Sequence, residues 1–146
     1  MSGGEFAERR MQVRWSDADA LGHVNNSIYL SFLEASRAGL IDDALGAGSW
    51  WDWVLARIEI DFLHEIPISV PEVTVRSCVL RVGNSSVRTR DEALLPDGTI
   101  AARAEAVVVV RNRETGKSRP LADAEKALLE RFAYVPPPAG AAEAES

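Results

Sequence analysis

The 146-residue chain carries 16 basic and 22 acidic side chains, a net charge of −6, with 47% apolar and 26% charged residues. That predicts one globular domain able to fold without disulfide or metal staples, and it excludes disorder over most of the length. The acidic balance argues against nucleic acid as a partner, and no apolar run is long enough to span a membrane. Residues 1–13 lack the apolar stretch of a signal peptide, and Cys78 is alone. A reducing, cytoplasmic setting is therefore expected.

Residues Arg9 to Ser16 alternate apolar and polar and predict a strand with Met11, Val13 and Trp15 on one side. The segment DADALGHVNN, Asp17 to Asn26, breaks the alternation with turn and cap residues. A helix is predicted over Ser27 to Leu45, apolar around much of its circumference, capped by Asn25 or Asn26 and stopped by Gly46 and Gly48. Period two then sets in. Strands are predicted over VLARIEIDFL from Val54, over Val73 to Val82, over Ser85 to Leu95 and over Thr99 to Asn112. Gly83-Asn84, Pro96-Asp97-Gly98 and the ETGK at 114–117 supply the turns. Ala122 to Phe132 reads as a short amphipathic helix. The expected organisation is an N-terminal extension (1–8), one domain (9–133) and a flexible Pro- and Ala-rich tail (134–146). A strand, a buried helix and an antiparallel meander make an α+β layer arrangement, and one sheet with one helix leaves apolar surface for a second copy.

Charge is unevenly spread. Arg76 to Arg119 holds nine basic and five acidic residues, a local +4, which leaves −10 elsewhere. That half is either a docking surface for a small anionic ligand or the polar side of a sheet.

The segment DADALGHVNN gathers two carboxylates, an imidazole and two amides just before the buried helix. A calcium loop fails because Leu21 and Ile28 stand where oxygen ligands belong, and His23, His64 and Cys78 have no zinc-site spacing. A capping role alone is open, with Asp17 as the turn-maker orienting the loop. So is a catalytic one. The first N–H groups of a helix lack intrahelical partners and can stabilise an oxyanion, while an upstream carboxylate attacks a carbonyl carbon or activates water. Gly22 would let backbone and substrate approach without a Cβ between them.

The stretch WSDADALGHVNNSIYLSFLEASR, residues 15–37, resembles the opening motif of hotdog-fold acyl-CoA thioesterases of the 4-hydroxybenzoyl-CoA thioesterase type. That motif runs D-x-D-x-x-G-H-V-N-N-x-x-Y and is followed by E-x-x-R, here Glu34 to Arg37. The GNSS hairpin at 83–86, the strand PDGTIAARAEAVVVV and the RPL turn agree in order, so the resemblance covers roughly residues 9–132. It implies a hotdog fold, a long central helix wrapped by a curved antiparallel sheet. It places the catalytic carboxylate on Asp19 and the carbonyl-polarising amide on Asn26, with His23 beside the carboxylate and Gly22 and Asn25 against the substrate. Related plant-type enzymes carry Asn where this chain has Leu21. Glu34 is a second carboxylate candidate, with an i, i+3 pair to Arg37 as the simpler expectation. Arg81, Ser85, Ser86, Arg88 and Arg90 around the hairpin are candidates for the coenzyme A phosphates. Trp50, Trp51 and Trp53 are candidates for the acyl pocket or for apolar anchoring.

The function so implied is hydrolysis of an acyl- or aroyl-CoA to the acid and free coenzyme A. No metal or resident cofactor is expected, and the sites are expected at the interfaces of a homodimer or homotetramer. The alternatives are an acyl-carrier-protein thioesterase and a non-catalytic acyl-CoA-binding module.

Overall fold

Helix α1, Asn26–Leu45, starts where Asn25 turns its side chain back: Asn25 Oδ1 accepts the Ser27 N–H at 2.9 Å. It ends at Gly46, whose φ of +109° favours glycine. The computed structural model that describes residues 5–136 sets this helix against one antiparallel sheet. The strands are β1 (Ala7–Gln12), β2 (Trp53–Phe62), β3 (Glu72–Val82), β4 (Ser86–Leu94) and β5 (Ile100–Val110). They lie in the order β1-β3-β4-β5-β2, with every neighbour antiparallel. A short helix α2, Asp123–Glu130, follows. The expected hotdog architecture is present. No helix among the described residues is long and apolar enough to cross a membrane.

The core has two lobes along the sheet. In one, Leu40, Ile41 and Ala44 of α1 meet Val79, Val87, Val108 and Trp53, closed by Leu129 and Phe132. In the other, Tyr29, Phe32 and Leu33 meet Val73, Val75, Ala93 and the alanines of β5. Between the lobes lies a polar knot. Asp91 accepts from Arg37 at 2.8 Å, from Ser77 at 2.7 Å and from Thr89 at 3.3 Å, all buried, and Ser36 and Ser77 share a hydrogen bond of 2.6 Å. Arg37 therefore pairs across the core rather than with Glu34. The i, i+3 expectation fails because Arg37 is on the buried face of α1 and Glu34 on the exposed one.

Two boundaries move. Strand β1 begins at Ala7, so residues 7 and 8 belong to the sheet rather than to an extension, and Ala7 is buried opposite Ser77. Its alternation was hidden by Arg9, an arginine on the inner side that lies against Gly39 and bonds Asp43 at 2.6 Å. A Cβ on Gly39 would sit 3.1 Å from the Arg9 guanidinium carbon, so glycine makes room for that reach. At its other end the strand stops at Gln12. Asp17 Oδ2 takes the Arg14 N–H at 2.7 Å, curling Trp15 to Asp17 into a turn that leaves Trp15 89% exposed. At the C-terminus, Val79 donates to Phe132 O and receives from Tyr134 N–H, both at 2.7 Å, extending the cover of β3 beyond the end of β1. Tyr134 is thus docked, and the rest of the expected flexible tail, from residue 137, lies outside the described residues.

The two sheet edges differ. β1 is 6 residues long and carries Glu8, Arg9 and Arg10. β2 is 10 residues long, with Leu55 and Phe62 each 45% exposed and a bulge at Ala56.

Candidate active site

The loop from Asp19 to Val24 is built by its own backbone. Asp19 N–H bonds His23 O at 2.8 Å, Gly22 N–H bonds Asp19 O at 3.2 Å, and Gly22 has φ +78°. Space beside Gly22 is open, so glycine serves the left-handed turn rather than a close approach within this chain. The loop is pinned to the segment after β2: Val24 N–H bonds Ile66 O at 2.8 Å, and Ile68 N–H bonds Gly22 O at 3.0 Å.

This arrangement makes a cleft of about 420 Å³ lined by Asp19, Leu21, His23, Val24, Asn26, Tyr29 and the run Phe62 to Glu65. One oxygen of Asp19, Oδ1, accepts the Leu21 N–H at 2.9 Å and the His23 N–H at 3.4 Å. Its other oxygen, Oδ2, has no partner among the described residues. At the helix start, Ser27 N–H is taken by Asn25 Oδ1 and Ile28 N–H by Asn25 O at 2.9 Å. The Asn26 N–H is left without a partner among the described residues, at the positive end of the α1 dipole. A free carboxylate oxygen and a free N–H thus belong to two residues of one cleft, a base or nucleophile and an oxyanion donor that can together serve acyl transfer.

Of the residues expected at the site, Asp19, His23 and Asn26 share this cleft, Gly22 shapes its loop, and Asn25 caps the helix beneath it. Seven lining residues were not among the expected site residues: Leu21, Val24, Tyr29, Phe62, Leu63, His64 and Glu65. The Tyr29 hydroxyl donates to His64 O at 2.9 Å, and its ring stands edge-on to Phe62 with centroids 5.4 Å apart. Burial pushes the Tyr29 phenol above its ordinary pKa, and the carboxylates of Glu65 and Asp19 add to that. Glu65 Oε2 lies 3.2 Å from His23 Nδ1. The signal for this segment was the polar pair His64-Glu65 between a strand end and Pro67, where connecting loops carry function.

The three tryptophans do not line the cleft. Trp53 is packed in the core against Trp50, at the end of β2 that pairs with Val110, and Trp51 is 81% exposed. The hairpin residues divide. Arg81, Ser86 and Arg88 line a second cavity of about 530 Å³ with Gly83, Asn84 and Val107. Ser85 and Arg90 do not. Ser85 O accepts the Val110 N–H, and the Arg90 guanidinium stacks 4.6 Å from the Tyr134 ring with Glu105 at 3.8 Å. Several arginines of the stretch from Arg76 to Arg119 are engaged by its own acids: Arg76 and Arg103 both hold Glu92 at 2.7 Å, and Arg88 reaches Glu105 at 3.4 Å. Arg81 has no acidic partner among the described residues.

Within one chain the two cavities are far apart. Arg88 is level with Val107 of β5 and Phe62 with Ala102, five residues or about 17 Å along the strand at roughly 3.3 Å each.

Comparison with known proteins agrees with this architecture. Residues 13–137 match the thioesterase-like superfamily. A predicted thioesterase from Bacillus stearothermophilus is 25% identical with a TM-score of 0.82, covering 91% of this chain and 100% of its own. A Thermus thermophilus thioesterase, solved with coenzyme A and Zn, is 30% identical with a TM-score of 0.77, covering 88% and 95%. A Staphylococcus aureus protein solved with CoA shares the fold at 12% identity and a TM-score of 0.79, covering 94% and 90%. No curated protein matches the sequence. Matched over most of its length and carrying the same curved sheet and central helix, the chain belongs to the thioesterase-like superfamily and is a thioester hydrolase by class.

Proposed function

We propose that this hydrolase is an acyl-CoA thioesterase of the 4-hydroxybenzoyl-CoA thioesterase type, cleaving an acyl- or aroyl-CoA to the carboxylic acid and free coenzyme A. The observation that carries the reading is the unpartnered Asp19 Oδ2 in the same cleft as the unpartnered Asn26 N–H. The thioester carbonyl oxygen accepts from Asn26 N–H, and negative charge developing there is stabilised by about 3 kcal/mol for such a donor. Asp19 Oδ2 then either bonds to the carbonyl carbon, expelling the thiolate and leaving an anhydride for water to open, or takes the proton of a water whose oxygen bonds to that carbon, after which the C–S bond breaks and the thiolate leaves. Coenzyme A enters as part of the substrate, not as a resident cofactor.

Arg81 and Arg88 suit the phosphates of coenzyme A. At about 17 Å along the sheet they serve the cleft of a second copy rather than their own. Antiparallel pairing of two β2 edges turns one copy end for end and sets its hairpin end beside the Asp19 end of the other. The reading is therefore a homodimer, alone or within a tetramer, with sites between subunits. A cytoplasmic setting suits a single, buried Cys78 with no second cysteine to pair with.

The test is thiol release from a panel of aliphatic and aromatic acyl-CoAs. Wild type releases thiol and Asp19→Ala does not. Equal rates for the two, or no release by wild type, overturn the reading. Release from acyl carrier protein alone would make this a carrier-protein thioesterase, and binding without release a non-catalytic module.

A further inference from the structure

His23 and Glu65 meet across two backbone segments that are bonded to each other, so their approach is imposed by the fold. Residues 22–24 and 66–68 are joined by Val24 N–H to Ile66 O, by Ile68 N–H to Gly22 O and by the bridge between His23 and Pro67. These bonds hold Glu65 Oε2 at 3.2 Å from His23 Nδ1, with the two side chains 57% and 36% exposed. An exposed pair of this kind adds little stability by its own attraction. What it fixes is chemistry. A carboxylate can only accept, so a negative oxygen at that range disfavours a bare lone pair on Nδ1 and favours a proton there, even without the alignment of a full hydrogen bond. The proton of a neutral His23 therefore resides on Nδ1, and Nε2 is left as the basic nitrogen.

We infer that Glu65 is a positioning residue that holds His23 in the Nδ1–H tautomer, so that Nε2 is a proton acceptor in the Asp19 cleft. The other titratable groups lining the cleft are Asp19, Tyr29 and His64. Asp19 Oδ1 faces the His23 main-chain N–H, and the Tyr29 hydroxyl is committed to His64 O. His64 Nδ1 is held at 2.6 Å from Glu65 O, which leaves the Glu65 side chain to His23. The kinetic part of this inference rests on the thioesterase reading. The tautomer does not.

The test uses the full chain with 15N-labelled histidine. With two histidines in the sequence, His64→Gln assigns the signals. Long-range 1H–15N spectra at a pH where the ring is neutral are expected to show His23 protonated on Nδ1. Glu65→Ala is expected to move it to the Nε2–H form that predominates in free imidazole side chains. Glu65→Gln, which keeps an acceptor oxygen, is expected to retain Nδ1–H. In turnover, Glu65→Ala should lower kcat about tenfold with KM unchanged, part of what a positioned proton acceptor contributes, and Glu65→Gln should restore most of it. Glu65 is exposed, so thermal melts of all variants should coincide with wild type. The same His23 tautomer in wild type and Glu65→Ala overturns the inference, even if kcat falls. Were no acyl-CoA turned over, the Asp19 reading would fail while the spectra still decide on Glu65.

Discussion

The two oxygens of Asp19 do different work. Oδ1 holds the loop by accepting from Leu21 and His23, and Oδ2 is left without a partner among the described residues. Asparagine keeps the first and removes the charge, so Asp19→Asn should melt within a degree or two of wild type while kcat falls at least 100-fold. Asp19→Ala loses both and should cost about 1 kcal/mol more of stability. Equal melting temperatures for the two variants would show that Oδ1 does not hold the loop. Cys78 makes a second residue-scale prediction. Burial pushes its thiol up to about 12, so the folded state keeps a proton that the unfolded chain releases near pH 9. With the unfolded state binding fewer protons between those values, stability falls as pH rises through that window, by up to about 4 kcal/mol. Urea unfolding from pH 8 to 11 should show that decline, and Cys78→Ala should flatten it.

At the scale of elements, α1 is oriented by a buried charge pair as well as by apolar packing. The Arg37–Asp91 contact at 2.8 Å is nearly solvent-free, and burial raises the Asp91 pKa against the pull of Arg37. Removing one partner strands the other: Arg37→Met should cost about 3–5 kcal/mol in urea unfolding, and adding Asp91→Leu should recover most of that. A single variant costing under 1 kcal/mol would show that the pair is idle. This knot also marks where the sequence stops being readable. Period two placed all of β2 to β5 within a residue or two, because those strands alternate against a core on one face. Arg37 on helix α1 and Asp91 on β4 occupy inward positions that the helical and the strand period respectively assign to apolar residues, and Arg9 does so in β1, which hid that strand's start. The cleft was legible as far as it is local. DADALGHVNN puts Asp19, His23 and Asn26 within eight residues, whereas Glu65 and His64 arrive from 42 and 41 positions beyond His23 through a pairing no local pattern announces.

For the molecule as a whole, the distance between the two cavities sets the expectation that one chain is half a working unit. Wild type should sediment as a dimer or larger. Ala56→Pro sits at the bulge of β2, where a proline is tolerated by the existing ladder but obstructs an added strand. It should shift the protein toward monomer in sedimentation velocity and lower turnover with it. A dimeric, inactive Ala56→Pro would place the interface elsewhere. In the assembled enzyme, Arg88→Ala should raise KM for acyl-CoA several-fold at low salt with kcat unchanged, and the gap should narrow as salt screens the phosphates.

The unequal edges of the sheet bear on what happens in a crowded solution. A sheet whose two borders were both long and apolar could recruit copies without limit, as fibrils do. Here the short β1 border carries Glu8, Arg9 and Arg10, and only β2 offers a border that invites its like. In the proposed dimer, pairing through β2 would use up the one adhesive border of each copy, so growth of the sheet itself would stop at two chains and open-ended polymerisation would be blocked.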